Sequence, residues 1–180
     1  IQSEMDDGPV PGASSAVHPL ISEAVIQCWA RAMGEQVPSD GPAKAKVAGA
    51  QTEPQIVQVL DWCDQIGAKA IPCGGGSSVV KCIEPAPAFE KVVTISMREM
   101  DKVLEVDATS LAARIQGGIY GPAIEDQLRD TPFTMRHYMQ AYRCSTLGGW
   151  IATRSGGHYA TLYTHIDYFV ESTRVVTPAG

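Results

Sequence analysis

The chain has 180 residues, of which 44% are hydrophobic and 19% are charged, enough for one ordinary domain with a small extension. Its net charge of −6 and the absence of a basic run argue against a nucleic-acid partner. The longest apolar runs fall far short of the roughly 20 residues that a membrane span requires.

The cysteines and the chain ends give two further expectations. The 5 cysteines form no CxxC pair, so their spacing predicts neither a disulfide framework nor a four-ligand zinc site. Free thiols are typical of a reducing compartment, and we expect a cytoplasmic protein. The chain begins at Ile1 and stops at Gly180 just after a β-branched run, so both ends are interpreted as cuts in a longer polypeptide.

Residues 1–45 are predicted to form an arm, a helix and a linker that precede the main domain. Residues 1–20 are rich in glycine, proline and serine, which is typical of a mobile arm. Apolar residues recur at spacings of three and four over residues 21–33 and predict a helix there. Two prolines and a glycine within residues 37–46 then indicate a linker, and the domain is expected to occupy residues 46–180.

The domain begins with a predicted strand–helix–strand unit. The sequence from Thr52 to Gln55 has the form of a capping box, with Pro54 inside the first helical turn. A helical apolar face follows, and Gly67 supplies the stop. With strands at residues 47–50 and 68–71, the order predicts a small parallel βαβ unit.

The second half alternates short strands and helices. Residues 92–97 predict a strand, and residues 102–107 and 111–116 predict a hairpin. Pro122 lies where the first turn of a helix accepts proline. Alternation over residues 167–177 predicts a final strand, and the fold class is therefore α+β.

A glycine-rich loop that opens at Pro72 is the strongest local signal. Three consecutive glycines, Gly74 to Gly76, permit positive φ angles and a close backbone approach, and two serines follow them. Amide groups freed in this way form an anion-binding nest, although a flexible turn explains the loop equally well. It is not a P-loop, because Lys81 lies too far along the chain and is followed by Cys82.

A second group of glycines and hydroxyls lies about 65 residues further on. Residues 145–150 combine Ser145 and Thr146 with paired glycines, and residues 153–157 add Arg154, which is able to hold an anion. Two loops of the same chemistry favour one long ligand with a charged middle, such as a dinucleotide.

The strings PCGGGSS, MDKVLEVDATSLAARIQGGIYGPAIEDQL and STLGGWIATRSGGHYATLYTHIDYFVESTRVVTPAG resemble the FAD-binding domain of the vanillyl-alcohol oxidase and p-cresol methylhydroxylase (PCMH-type) flavoproteins. GGW-x-x-TR-x-x-G is similar to the alkyldihydroxyacetonephosphate synthase (alkylglycerone-phosphate synthase) branch and its bacterial FAD-linked oxidase relatives. The resemblance covers residues 46–180. It implies an FAD-binding domain of two α+β subdomains, present as an incomplete N-terminal part, with the cap domain beyond Gly180.

This resemblance implies three cofactor-binding stretches: one around the FAD pyrophosphate, one beside the flavin, and one that continues from it. It leaves the catalytic residues beyond Gly180, implies no metal, and favours non-covalent FAD because the first loop lacks a histidine, with the Cys144 thiol buried. The residues implied are Pro72, Cys73, Gly74, Gly75, Gly76, Ser77, Ser78, Met139, Gln140, Ala141, Tyr142, Cys144, Ser145, Thr146, Gly148, Gly149, Thr153, Arg154, Ser155 and Gly156.

Three functions stay open at this point. The resemblance implies exchange of an acyl group for a fatty alcohol on dihydroxyacetone phosphate, as in ether-lipid synthesis. An FAD-dependent oxidoreductase acting on a 2-hydroxy acid or an alcohol is the alternative. Departures from the family pattern at residues 81–82 and 139–144 favour a third reading, a non-catalytic remnant that binds a flavin or nucleotide. A small-molecule substrate is expected in either enzyme, a homodimer stays open, and relatives imply a peroxisomal alternative to the cytoplasm.

Overall fold

The computed structural model describes residues 45–86, 88–157, 159–163 and 165–178. The predicted arm, the helix at residues 21–33 and most of the linker lie outside these ranges. A parallel three-stranded sheet forms the first part, built from β1 (Ala45–Gly49), β2 (Lys69–Cys73) and β3 (Val92–Ser96) in the order β1-β3-β2. The predicted α+β class and the parallel βαβ unit are confirmed.

Helix α1 (Glu53–Gln65) connects β1 to β2 and begins and ends where the sequence predicts. The Gln55 side-chain oxygen accepts the Thr52 amide at 3.2 Å, so the first turn is capped. Three residues on one face, Ile56, Val59 and Cys63, pack on the sheet within the first core. Gly67 has φ +65°, the left-handed conformation that commonly ends a helix.

All three strands end at one edge of the sheet. The register places Gly49 and Cys73 on either side of Ser96, so the segments that follow the strands begin close together. Pro72 and Cys73 belong to β2, which corrects the expectation that the glycine-rich loop opens at Pro72. Proline is tolerated here because β2 is an edge strand in the described sheet. The term glycine loop below means residues 74–78.

The second part contains a hairpin and several short helices. Strands β4 (Val103–Asp107) and β5 (Ala112–Ile115) pair antiparallel, as predicted. They are followed by α2 (Gly121–Leu128), α3 (Leu147–Ala152), α4 (Ala160–Tyr163) and a 3₁₀-helix (Ile166–Phe169). A second core fills the space between them, and its buried members are Ile119, Ile124, Leu128, Leu147, Trp150 and Ile166. Within the described ranges, no helix has the length and apolar character needed to cross a bilayer.

The final strand predicted over residues 167–177 is wrong. The segment begins in the 3₁₀-helix and continues as irregular chain, with Ile166 buried in the second core. Arg174 instead forms an ion pair with Glu53 in the first turn of α1, at 2.7 Å, and Val176 packs against the first core. Alternating side chains are compatible with a strand, but a strand also needs a partner for its backbone hydrogen bonds, and this segment runs past α1 instead.

Candidate functional site

The glycine loop packs directly against residues 144–149, called the hydroxyl segment below. A Cβ atom built on Gly74 would lie 2.0 Å from the Thr146 hydroxyl oxygen, and one built on Gly75 would lie 1.8 Å from the Cys144 carbonyl oxygen. Such distances are sterically impossible, so only glycine permits this approach. The two segments that the sequence predicts to grip one ligand therefore lie side by side.

The glycine loop presents a run of unpaired amides. Within the described part of the chain, no amide N–H from Gly74 to Ser78 donates to an acceptor, and the Ser77 hydroxyl has no partner there. Gly74 to Gly76 are partly buried, and Gly76 has φ +78°. Buried amides normally find an acceptor, and successive amides in a glycine turn form a nest for an anion. The loop is chemically suited to phosphate oxygens.

Ser78 ends the loop in a tight turn. Its hydroxyl oxygen accepts the Cys82 amide at 3.2 Å, and the Lys81 amide donates to the Ser78 carbonyl at 3.2 Å. Residues 79–80 therefore form a turn. The Lys81 ammonium pairs with Glu84 at 3.3 Å, so its charge is already partnered within the turn.

Buried contacts hold the hydroxyl segment in place. The Ser145 hydroxyl donates to the Ala141 carbonyl at 2.7 Å and accepts the Trp150 indole N–H at 2.7 Å. Trp150 is 2% exposed and belongs to the second core. The Leu147 amide donates to the Ile119 carbonyl at 3.0 Å. Ser145 thus stabilises the hydroxyl segment through its hydrogen bonds to Ala141 and Trp150.

Three neighbouring predictions change in detail. The Cys144 thiol is exposed, so the expectation that it is buried is wrong. The Gly148 amide donates to the Gly117 carbonyl at 2.7 Å and is already satisfied. Tyr142 packs its ring against Gly121 and stacks on Trp150, and burial is the main reason that its pKa rises to about 12. These contacts give Tyr142 a structural role within the predicted flavin stretch.

The arginine segment, residues 153–157, lies at the other end of α3 and is bound mainly to the protein itself. The Thr153 hydroxyl donates to the Gly149 carbonyl at 2.9 Å, and the Ser155 amide donates to the Trp150 carbonyl at 2.9 Å. The Arg154 guanidinium pairs with Asp167 at 2.6 Å, and this hydrogen bond is the main reason that the Asp167 pKa is lowered. Gly156 lies against the His165 ring.

A turn after β3 adds a residue that sequence reasoning missed. The Met97 amide donates to the Cys73 carbonyl at 2.9 Å, and the next side chain, Arg98, donates through Nε to the Gly74 carbonyl at 3.1 Å. Burial raises the pKa of nearby Tyr120, and the Arg98 charge partly offsets that rise. Arg98 lies outside every glycine motif, and only its position after β3 of a parallel sheet places it here.

His137 is a second group that lies outside the glycine motifs. It is 4% exposed and lies between Trp150 and Phe169, at centroid distances of 5.7 Å and 5.9 Å. Its Nε2 atom has no hydrogen-bond partner in the described ranges. Burial, and secondarily the His165 charge, lowers its pKa below the ordinary histidine value, which favours the neutral ring at pH 7.

Comparison with known families identifies the domain. The family model for an FAD binding domain matches residues 44–180, so the chain belongs to the FAD binding domain family. The resemblance to PCMH-type flavoproteins is confirmed, and FAD is the cofactor of the domain. The residues fit its pyrophosphate, since the glycine loop supplies unpaired amides beside the Thr146 hydroxyl.

The named relatives include two groups of particular interest. The chain is 46% identical over 126 residues to the alkyldihydroxyacetonephosphate synthase of Dictyostelium discoideum, covering 70% of this chain and 21% of that protein. It is 27% identical over 139 residues to an uncharacterized FAD-linked oxidoreductase, YgcU, of Escherichia coli (strain K12), covering 77% of this chain and 28% of that protein.

Structural comparison agrees with the first group. A solved structure of an alkyldihydroxyacetonephosphate synthase superposes with a TM-score of 0.71 at 37% identity. The match covers 75% of this chain and 24% of that one. The chain thus spans about a fifth to a quarter of the length of these synthases, and it resembles their FAD-binding part.

Proposed function

We propose that the glycine loop and the hydroxyl segment together hold the FAD pyrophosphate, with residues 46–180 as the binding unit and residues 1–45 as a separate extension. The observation that carries this proposal is the contact of Gly74 and Gly75 with residues 144–146, which sets unpaired amides beside the Thr146 hydroxyl. Amide donors stabilise a pyrophosphate without side-chain reorganisation.

The remaining stretches contribute in different ways. Residues 139–145 support the flavin side of the site through backbone positions, because the Tyr142 and Ser145 side chains are used in packing. Residues 153–156 extend the site along α3, about 10 Å from Thr146 at 1.5 Å per helical residue. The fold binds and orients FAD, and bound flavin supplies the carbon chemistry.

FAD binding is tested by titrating apo-protein with FAD and following flavin fluorescence and thermal unfolding. We expect a dissociation constant in the micromolar range or below and a raised melting temperature. Absence of both effects in the full chain would favour the remnant reading, which the unusual residues 81–82 and 139–144 motivate. A displacement arm with ADP distinguishes a nucleotide-binding module, for which ADP competes as strongly as FAD.

We propose further that the full protein exchanges the acyl group of an acyl dihydroxyacetone phosphate for a fatty alcohol, without net redox change. The support is the similarity to alkyldihydroxyacetonephosphate synthases, at 46% identity in one case. The test incubates holoprotein anaerobically with an acyl dihydroxyacetone phosphate and a labelled fatty alcohol. We expect labelled ether lipid precursor and release of free fatty acid, and no product would contradict this activity.

The second candidate is an FAD-dependent oxidoreductase acting on a 2-hydroxy acid or an alcohol. The similarity to YgcU, itself described as an FAD-linked oxidoreductase, favours it. Mixing holoprotein with a 2-hydroxy acid under anaerobic conditions separates the two candidates. Bleaching of the flavin absorbance supports the oxidoreductase, whereas an unchanged spectrum together with ether product supports the synthase.

Non-covalent attachment of FAD is part of the proposal. The glycine loop contains no histidine. Cys144 contacts Gly75 through its backbone carbonyl, and its thiol is exposed. Unfolding holoprotein in guanidinium and passing it through a filter is expected to release all of the flavin. Flavin retained with the polypeptide in the wild type but not in Cys144→Ser would show a cysteinyl bond instead.

A further inference from the structure

Arg98 is partly buried, whereas the other lysine and arginine side chains described from residue 48 onward are exposed. It is partly buried at the edge where the three strands end, and its Nε donates to the Gly74 carbonyl at 3.1 Å. Within the described ranges, its terminal nitrogens have neither a carboxylate nor a hydrogen-bond acceptor. By contrast, the described ion pairs occupy Lys81, Lys102, Arg114, Arg129, Arg154 and Arg174.

Arg98 shares its surroundings with two thiols and a phenol. Cys73, Cys144 and Arg98 all lie close enough to Tyr120 to act electrostatically on its phenol. Glu99, the residue after Arg98, accepts a hydrogen bond from the Gln51 side chain at 2.7 Å, near the end of β1. A partly buried guanidinium without an anion is costly in free energy. Arg98 contacts Gly74, the first residue of the glycine loop, and the five amides of that loop are also unpaired in the described structure.

We propose that Arg98 is the side-chain cation of the pyrophosphate site, an inference that rests on the proposed FAD function. Its Nε fixes the Gly74 carbonyl and thereby orients the glycine loop, and its terminal nitrogens bind a pyrophosphate oxygen. The ligand class is a pyrophosphate ester, and main-chain amides and one guanidinium share its two negative charges.

The test compares wild type with Arg98→Gln and Arg98→Lys in the full chain, with Arg129→Gln as the matched control. Arg129 carries the same charge but pairs with Asp126 on an exposed face of α2. Loss of one charge-assisted hydrogen bond is expected to weaken FAD binding by roughly tenfold to a hundredfold in Arg98→Gln. Arg98→Lys is expected to recover part of the loss, and Arg129→Gln to match the wild type.

The salt dependence of FAD binding distinguishes a direct charge interaction of Arg98 with the anion from a purely structural role of Arg98. If Arg98 binds the anion, wild-type FAD affinity falls as salt rises, and Arg98→Gln flattens this dependence because one screened attraction is gone. If Arg98 only supports the Gly74 carbonyl, the variant is weaker but keeps the wild-type salt dependence, and this result would overturn the proposal. Equal FAD affinity in wild type and Arg98→Gln would overturn it as well.

Inorganic pyrophosphate distinguishes failure of this inference from failure of the FAD proposal. We expect pyrophosphate to raise the melting temperature of wild type and Arg98→Lys, and to have less effect on Arg98→Gln. Arg98-dependent stabilisation by pyrophosphate without any FAD binding would support the anion site and contradict the FAD function. If Arg98→Gln does not fold, Arg98→Lys is compared with wild type in its response to pyrophosphate, its response to salt and its FAD affinity. If Arg98→Lys equals wild type in all three measurements, the proposal is contradicted.

Discussion

The glycine loop and the arginine segment look alike in sequence, since both combine glycines with hydroxyl side chains. In the structure they differ in what their polar groups do. The described glycine loop leaves five amides unpaired beside Thr146, whereas the arginine segment uses Thr153, Arg154 and Ser155 to bind neighbouring parts of the protein.

This difference shows that composition alone does not distinguish a binding loop from a structural turn. The decisive property is whether donors remain unsatisfied after folding, because a satisfied donor gains little from a ligand. The glycine loop meets this condition, and the arginine segment meets it poorly. Four predictions test the contrast, from the largest expected effect to the smallest.

The first prediction concerns Gly75→Ala. The new Cβ atom would meet backbone, 1.8 Å from the Cys144 carbonyl oxygen, so the glycine loop must leave its position and its amides lose their common direction. Loss of two or more amide contacts to pyrophosphate is expected to weaken FAD binding more than about a hundredfold, measured by fluorescence titration.

Gly49→Ala is the matched control at the same edge of the sheet. Its Cβ atom would lie 3.6 Å from the Glu99 carboxylate, an ordinary contact. We expect near wild-type FAD affinity for this variant. Wild-type affinity in Gly75→Ala would contradict the view that the glycine loop and the hydroxyl segment form one site.

The second prediction removes the support beneath the hydroxyl segment. Ser145→Ala leaves the buried Trp150 indole N–H without its acceptor, which is expected to cost about 1–3 kcal/mol of the free energy of unfolding. Denaturant titration measures the change, and exposed Ser172→Ala serves as the control. An unchanged midpoint in Ser145→Ala would mean that another acceptor takes the indole proton.

The third prediction uses pH to test the anchoring of the arginine segment. The Arg154 hydrogen bond lowers the Asp167 pKa, so the pair stabilises the fold at pH values above the unfolded-state pKa. Its contribution is lost as the pH falls through the lowered folded-state value. Asp167→Asn is expected to reduce this part of the acid dependence, measured by melting temperature from pH 7 to pH 2. An identical acid profile in the variant would contradict the assignment.

The fourth prediction is a small effect in the arginine segment. In Gly156→Ala the new Cβ atom would lie 2.8 Å from His165 Nδ1, but this exposed side chain is able to turn away. We expect FAD affinity to change by less than about threefold, a difference of under about 1 kcal/mol. The double variant with His165→Ala should abolish even that change, and a loss comparable to Gly75→Ala would remove the contrast between the two regions.

Much of the fold is predictable because its signals are local. The capping residues around Thr52, the stop at Gly67 and the alternation of the hairpin specify their elements within a few neighbours. Residues 167–177 alternate equally well, yet they form no strand. Their conformation depends on Ile166 entering the second core and on Arg174 reaching Glu53, and both contacts join residues far apart in sequence.

The candidate site divides in the same way. A run of three glycines and two serines predicts an anion-binding loop. Glycine permits the backbone conformations in which successive amides point at one anion, and this permission depends only on the local sequence. Neither Arg98 nor His137 lies in a glycine-rich motif of this kind. Arg98 reaches Gly74 only because β2 and β3 are parallel neighbours that end at one edge.

The sequence alone predicts a capped helix, a hairpin and a glycine-rich loop, and it shows the resemblance to an FAD-binding family. These features follow from short-range backbone preferences and from motifs that occupy consecutive residues. Tertiary structure decides which donors are left for a ligand: it turns Arg154 toward Asp167, places Arg98 against the Gly74 carbonyl, and presses Gly75 on Cys144. The physical reason is that a donor's availability depends on which acceptors the folded chain brings near it.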